Sequence, residues 1–137
     1  MNIIFQIDGG LGKSVMATAM VKVIKKRYKN ANIIVVTAYP DVFLNNPDVF
    51  EVHRSDQING LYLKHIKDQK CKIFVADPYR DSDFITESPT HLFKTWCKIY
   101  GLHYSNEQPQ IYLTKPELDY FSPFYKTDKP ILAIQPH

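Results

Sequence analysis

The sequence predicts an α/β domain: a parallel sheet with helices on both faces. Three observations carry this expectation. Apolar, β-branched runs recur at residues 3–7, 33–37 and 72–76, the pattern of strands buried on both faces of a parallel sheet. A helical apolar period fills residues 13–28 between the first two runs. Glycine, proline and asparagine clusters punctuate the rest. Strand, helix, strand in that order makes a right-handed βαβ unit, and the expected fold is Rossmann-like.

The first strand, Ile3-Ile4-Phe5-Gln6-Ile7, runs into a tight turn, Asp8-Gly9-Gly10-Leu11-Gly12. Glycines admit positive φ and close approach of a ligand to the backbone. A helix from Lys13 to Tyr28 follows, with Met16, Met20, Val23 and Ile24 as its core stripe. Residues 33–37 form the second strand. Residues 49–52 read as a short third strand after the turn Asn45-Asn46-Pro47-Asp48. Residues 55–70 are ambiguous, since Leu61, Leu63 and Ile66 allow a helix that Gly60 weakens. Residues 72–76 form the next buried strand, ending at Asp77.

Residues 80–89 read as a polar loop. Thr90 caps an expected helix over 91–100, which Gly101 stops. Residues 110–113 read as a strand. Thr114 and Glu117 then match a capping box at the start of a further helix. Residues 130–135 read as a last buried strand. Its position after a lysine- and proline-marked linker divides the chain into a domain over 1–126 and the beginning of a second over 127–137.

Composition excludes several classes. The net charge of +3 over 137 residues is too small to indicate nucleic-acid binding. Much of the excess lies in Lys22, Lys25, Lys26, Arg27 and Lys29, where it complements the dipole at a helix C-terminus. Cys71 and Cys97 match no CxxC spacing. His53, His65, His91, His103 and His137 show no HxxxH or HxxE spacing, so no metal site is expected. No signal peptide and no apolar run of membrane-spanning length is apparent, which points to a cytoplasmic protein.

The glycine turn carries the functional question. A helix N-terminus behind it favours an anion. Ligands in such sheets bind at the carboxyl ends of the strands, so Asp8, Thr37 and Asp77 are expected on one rim. As a dinucleotide site the turn departs twice from the fingerprint: Val15 holds the third glycine position, and Val36-Thr37 ends the second strand without a ribose-binding acid. As a P-loop, Gly9, Gly10, Gly12, Lys13 and Ser14 match the variant KGGxGK[ST] loop, with Asp8 in place of its first lysine. That alternative makes the protein a Mg·ATP-binding ATPase, with Lys13 on the phosphates and Ser14 on the metal.

The order of motifs along the chain supports a third reading. The opening strand and glycine turn, the helix start Met16-Ala17-Thr18-Ala19, the passage Val36-Thr37-Ala38-Tyr39-Pro40-Asp41 with Asn46-Pro47-Asp48-Val49, and Tyr100-Gly101-Leu102 before residues 109–114 resemble one family. So does Lys129 to Pro136. The chain looks like the N-terminal domain of glycosyltransferase family nine, the ADP-heptose:lipopolysaccharide heptosyltransferases and their relatives. The resemblance implies the first half of a GT-B architecture, in which this domain holds a glycan acceptor and a C-terminal domain holds the nucleotide-sugar donor. No cofactor is implied beyond that donor substrate.

In that family an aspartate after the turn's last glycine is thought to act as general base, and here Lys13 stands in its place. A lysine is a poor base unless burial lowers its pKa, and a good anion ligand at a helix N-terminus. Asp8 is the nearest carboxylate. The expected catalytic pair is therefore Asp8 and Lys13. Gly9, Gly10, Leu11, Gly12, Ser14, Thr37, Tyr39 and Asp77 are expected to bind substrate. Gln135 and His137 are expected to open the donor-facing loop. A non-catalytic glycan- or nucleotide-binding remnant is the remaining alternative. A turn residue bonding its own neighbours is an equally simple role for Asp8.

Overall fold

The computed structural model describes residues 1–67, 69–86 and 91–120. Four strands, β1 (Asn2–Ile7), β2 (Asn32–Thr37), β3 (Glu51–Arg54) and β4 (Cys71–Val75), form one sheet in the order β3-β2-β1-β4. Every neighbouring pair is parallel. The helices are α1 (Leu11–Arg27), α2 (Ile58–Leu61), α3 (Ser82–Thr86), α4 (Leu92–Tyr100) and α5 (Lys115–Leu118). This is the Rossmann-like α/β fold that the apolar runs predict, except that the strand expected to be buried over 72–76 is β4, at the edge of the described sheet with Ile73 56% exposed.

The central place of β1 explains why apolar residues occupy both of its faces. Ile3, Phe5 and Ile7 face the same side as Ile33 and Val35, and pack with Met20 and Ile24 of α1 and with Phe93 and Trp96 of α4. Ile4, Ile34 and Val36 face the other side, under Leu61 of α2. Full burial of each such side chain contributes about 1.5–3 kcal/mol; the polar residues of β1 are Asn2, which donates to the His65 carbonyl, and Gln6, which donates to Asp8.

Helix α1 begins at Leu11 and ends at Arg27, two residues earlier than expected at its start. Met20, Val23 and Ile24 are buried as expected, but Met16 is 36% exposed. A second layer lies on this helix. The segment after α4 lies along α1, where the Gln110 amide donates to Thr18 Oγ1 (2.9 Å) and Lys22 Nζ donates to the Gln108 carbonyl (3.3 Å). Burial also extends to Ser14, Ala17, Thr18 and Val21, a broader face than the expected stripe, with Met16 outside it.

The same contacts correct the strand expected over 110–113. These residues join no sheet, and Ile111 and Leu113 are 43% and 50% exposed. Strand β3 lies two residues later than expected, because Phe50 is exposed and the pairing with β2 runs from Ile34↔Glu51 to Thr37↔Arg54. Part of the expected polar loop is instead a short 3₁₀ turn, Pro78–Arg80, followed by α3. The ambiguous stretch resolves into α2 and a π-helical turn, Tyr62–Ile66, closed by Lys67 N–H on the Tyr62 carbonyl (2.9 Å).

Two end signals behave as read. Gly101 adopts φ +64, with its own amide on Lys98 O and the Leu102 amide on Cys97 O, a Schellman motif. The Thr114–Glu117 capping box forms at α5. The N-cap of α4 is His91. Thr90, the linker, the last expected strand and the boundary at residue 127 lie outside the described residues.

Candidate functional site

The turn between β1 and α1 sits at the carboxyl edge of the sheet. Gly9 has φ +107, a conformation that glycine alone adopts without strain. A Cβ at Gly9 would meet Lys13 Cδ at 3.2 Å and Lys13 Nζ at 3.9 Å. The lysine stem thus folds back over the turn, and the missing side chain makes room for it. Gly10 and Gly12 differ: a Cβ on either would meet nothing within 4 Å. The space above them is open.

Gly10 is the N-cap of α1, and its carbonyl accepts the Ser14 amide (3.2 Å). No side chain caps the helix, and its first turn holds no acid. The leading amides and the positive end of the helix dipole therefore face the turn with no acid of the helix itself beside them. Lys13 makes no ion pair among the described residues. Asp8 is exposed, and both its oxygens accept from Gln6 Nε2 (3.2 and 3.1 Å). That bond holds the carboxylate at the edge while leaving it open to solvent.

Ser14 and Thr37 turn the other way. Both are fully buried, their hydroxyls lie 3.2 Å apart, and Thr37 Oγ1 also accepts the Tyr39 amide (3.2 Å). A ligand in the turn would reach either hydroxyl only after this pair parts. Tyr39 is partly exposed beyond the end of β2, and Leu11 is exposed at the start of α1. Asp77 follows β4 and accepts the Tyr79 amide (3.1 Å), capping its own 3₁₀ turn.

Asp8, Thr37 and Asp77 do share one edge. Ile7 pairs with Thr37, and Gln6 pairs with Val75. The connection from β1 leads to β2 on one side, while the chain returns from β3 to β4 on the other. The crevice between β1 and β4 is thus the topological switch point, where sheets of this type bind ligands. Asp8 and Asp77 stand at its two lips. A hollow of about 560 Å³ lies elsewhere, lined by Met1 and residues 26–31, and its lining carries no carboxylate side chain.

No family model, no curated protein and no solved structure matches this chain.

The edge can do two things chemically. Its bare amides and the Lys13 ammonium suit an anion. Its Asp8 carboxylate suits a hydroxyl as hydrogen-bond acceptor or base. Gln135 and His137 lie outside the described residues. One grouping escaped the spacing rules: Glu51, His53 and His65 place a ligand atom each within 4.8 Å of one another. Those rules search helical intervals, whereas Glu51-Val52-His53 lies on a strand, where residues two apart share a face.

Proposed function

We propose that this chain is the acceptor-side domain of a nucleotide-sugar-dependent glycosyltransferase of the GT-B type, similar to family nine. Asp8 takes the proton from an acceptor hydroxyl as that oxygen attacks the anomeric carbon of the donor. The nucleoside diphosphate leaves with the bonding electrons. Lys13 and the amides of Leu11 and Gly12 hold an anionic group of the acceptor. The nucleotide-sugar sits in a facing C-terminal domain.

The single observation behind the choice is how the turn divides its side chains. Asp8 and Lys13 are presented at the edge, whereas Ser14 is spent on Thr37 in the interior. A P-loop needs its Ser hydroxyl on Mg²⁺, and here Asp77, the counterpart of a metal-holding strand-end acid, caps its own turn. The family resemblance in motif order supports the same choice.

Kinetics of the domain joined to its donor-binding partner test the roles. Asp8→Asn is expected to lower kcat by about 10²–10⁴-fold and to leave donor binding intact. Lys13→Ala is expected to raise KM for the acceptor. Full activity in Asp8→Asn, with kcat abolished in Lys13→Ala alone, would reverse the assignment.

A further inference from the structure

On the opposite face of the sheet from α1, at its outer edge, three metal-ligating side chains converge. Glu51 and His53 project from β3 on the face that carries Ile34 and Val36. His65 meets them from the π-helical turn. His65 Nε2 lies 3.0 Å from Glu51 Oε2, and His53 Nε2 lies 3.0 Å from Glu51 Oε1. The two imidazoles stand edge to face, 5.4 Å between centroids.

Three features separate this group from an ordinary polar cluster. First, His53 Nε2 is buried without a hydrogen bond; it is close to Glu51, but its angle does not suit one. A buried nitrogen without a partner is costly, and a metal ion would satisfy it. Second, a cation already stands at the carboxylate. Lys64 Nζ contacts both Glu51 oxygens at 2.7 and 2.9 Å, and Lys64 is exposed enough to swing away. Third, the π turn aims Lys64 and His65 at β3, and its backbone is held in place. Asn2 Nδ2 donates to the His65 carbonyl (3.0 Å), and Gln69 Nε2 donates to the Lys64 carbonyl (2.8 Å). Such π turns are frequent at functional positions.

We propose that Glu51, His53 and His65 bind a first-row divalent metal ion, with zinc the natural occupant. Two imidazoles and a carboxylate form a zinc donor set that leaves a fourth position to water. Zinc ligands stand at about 2.0–2.2 Å from the ion, so the three ligand atoms draw together around it by side-chain rotation. Lys64 is displaced as the ion enters. The bound ion clips the edge strand β3 to the crossover between β3 and β4. This inference is independent of the glycosyltransferase reading.

The test titrates the tag-free chain with Zn²⁺ by calorimetry and with Co²⁺ by visible absorption. One equivalent is expected to bind, with the absorption of four-coordinate cobalt and a rise in Tm as zinc is added. Glu51→Gln and His53→Ala are each expected to weaken binding at least about tenfold. Lys64→Ala keeps all three ligands and is expected to tighten it, which preserves the test if a ligand variant fails to fold. Absence of saturable binding by both the wild-type chain and Lys64→Ala would overturn the proposal. So would zinc binding that is equally tight in folded Glu51→Gln and His53→Ala.

Discussion

The Ser14 and Thr37 hydroxyls lie 3.2 Å apart in the interior, joining the first turn of α1 to the last residue of β2. This bond fixes how the helix N-terminus sits over the sheet edge. It also takes Ser14 out of the turn's mouth. Ser14→Ala is expected to cost about 1 kcal/mol in stability, because Thr37 keeps the Tyr39 amide as a partner. Ligand binding at the turn should be unchanged. Denaturant unfolding and a binding titration of the same variant check both statements.

The turn's glycines should separate under substitution. Gly9→Ala places a side chain at φ +107 against Lys13 Cδ, and is expected to destabilise by roughly 1–2 kcal/mol. Gly12→Ala meets open space inside a helix, and is expected to stabilise by about 0.5–1 kcal/mol. If the space above Gly10 and Gly12 receives a ligand, Gly10→Ala and Gly12→Ala should weaken its binding while leaving the fold intact. Thermal unfolding with and without ligand distinguishes the two effects.

A pH dependence follows from Glu107, which is buried against α1. Burial pushes its carboxyl up, but the Lys26 ammonium at 2.5 Å and the Ser105 amide outweigh this and hold it below the usual carboxylate range. A folded pKa below the unfolded one means that the stabilisation is present above the unfolded value. It is lost as pH falls through the folded value. Glu107→Gln is expected to cost about 1–3 kcal/mol at neutral pH and progressively less in acid. Unfolding curves for the two proteins, measured from pH 7 downward, should converge.

The segment after α4 is attached by few bonds, and Thr18 supplies one of them. Thr18→Val removes the acceptor of the Gln110 amide while keeping the shape of the side chain. Hydrogen exchange at Gln110 is expected to quicken at least about tenfold, with β1 and β2 unaffected. Unchanged exchange would mean that Lys22 and Lys26 hold the segment without it.

These residues also mark what the sequence reveals. The unit from β1 to β2 is legible because its signals are local: apolar runs, a glycine turn, a helical period. The caps at Gly101 and Thr114 are local too. The bounds of β3 are not legible, because Val49 and Phe50 look like strand residues, yet pairing with Ile34–Thr37 selects the more polar Glu51–Arg54. The segment 110–113 alternates like a strand, but its partner is Thr18 on a helix rather than a neighbouring strand. At the site, the shared edge of Asp8, Thr37 and Asp77 follows from strand ends alone. The inward turn of Ser14 does not, since it depends on which hydroxyl β2 brings beside α1. The meeting of His65 with Glu51 and His53 depends on a π turn that no local spacing announces.

Calorimetry of this chain with Mg·ATP tests the central claim most directly. If the glycine turn serves an acceptor and the nucleotide belongs to a facing domain, the titration is expected to show no micromolar binding, in the wild-type chain or in Lys13→Ala. Micromolar binding of Mg·ATP that disappears in Lys13→Ala would contradict the account and make the turn a nucleotide-binding P-loop.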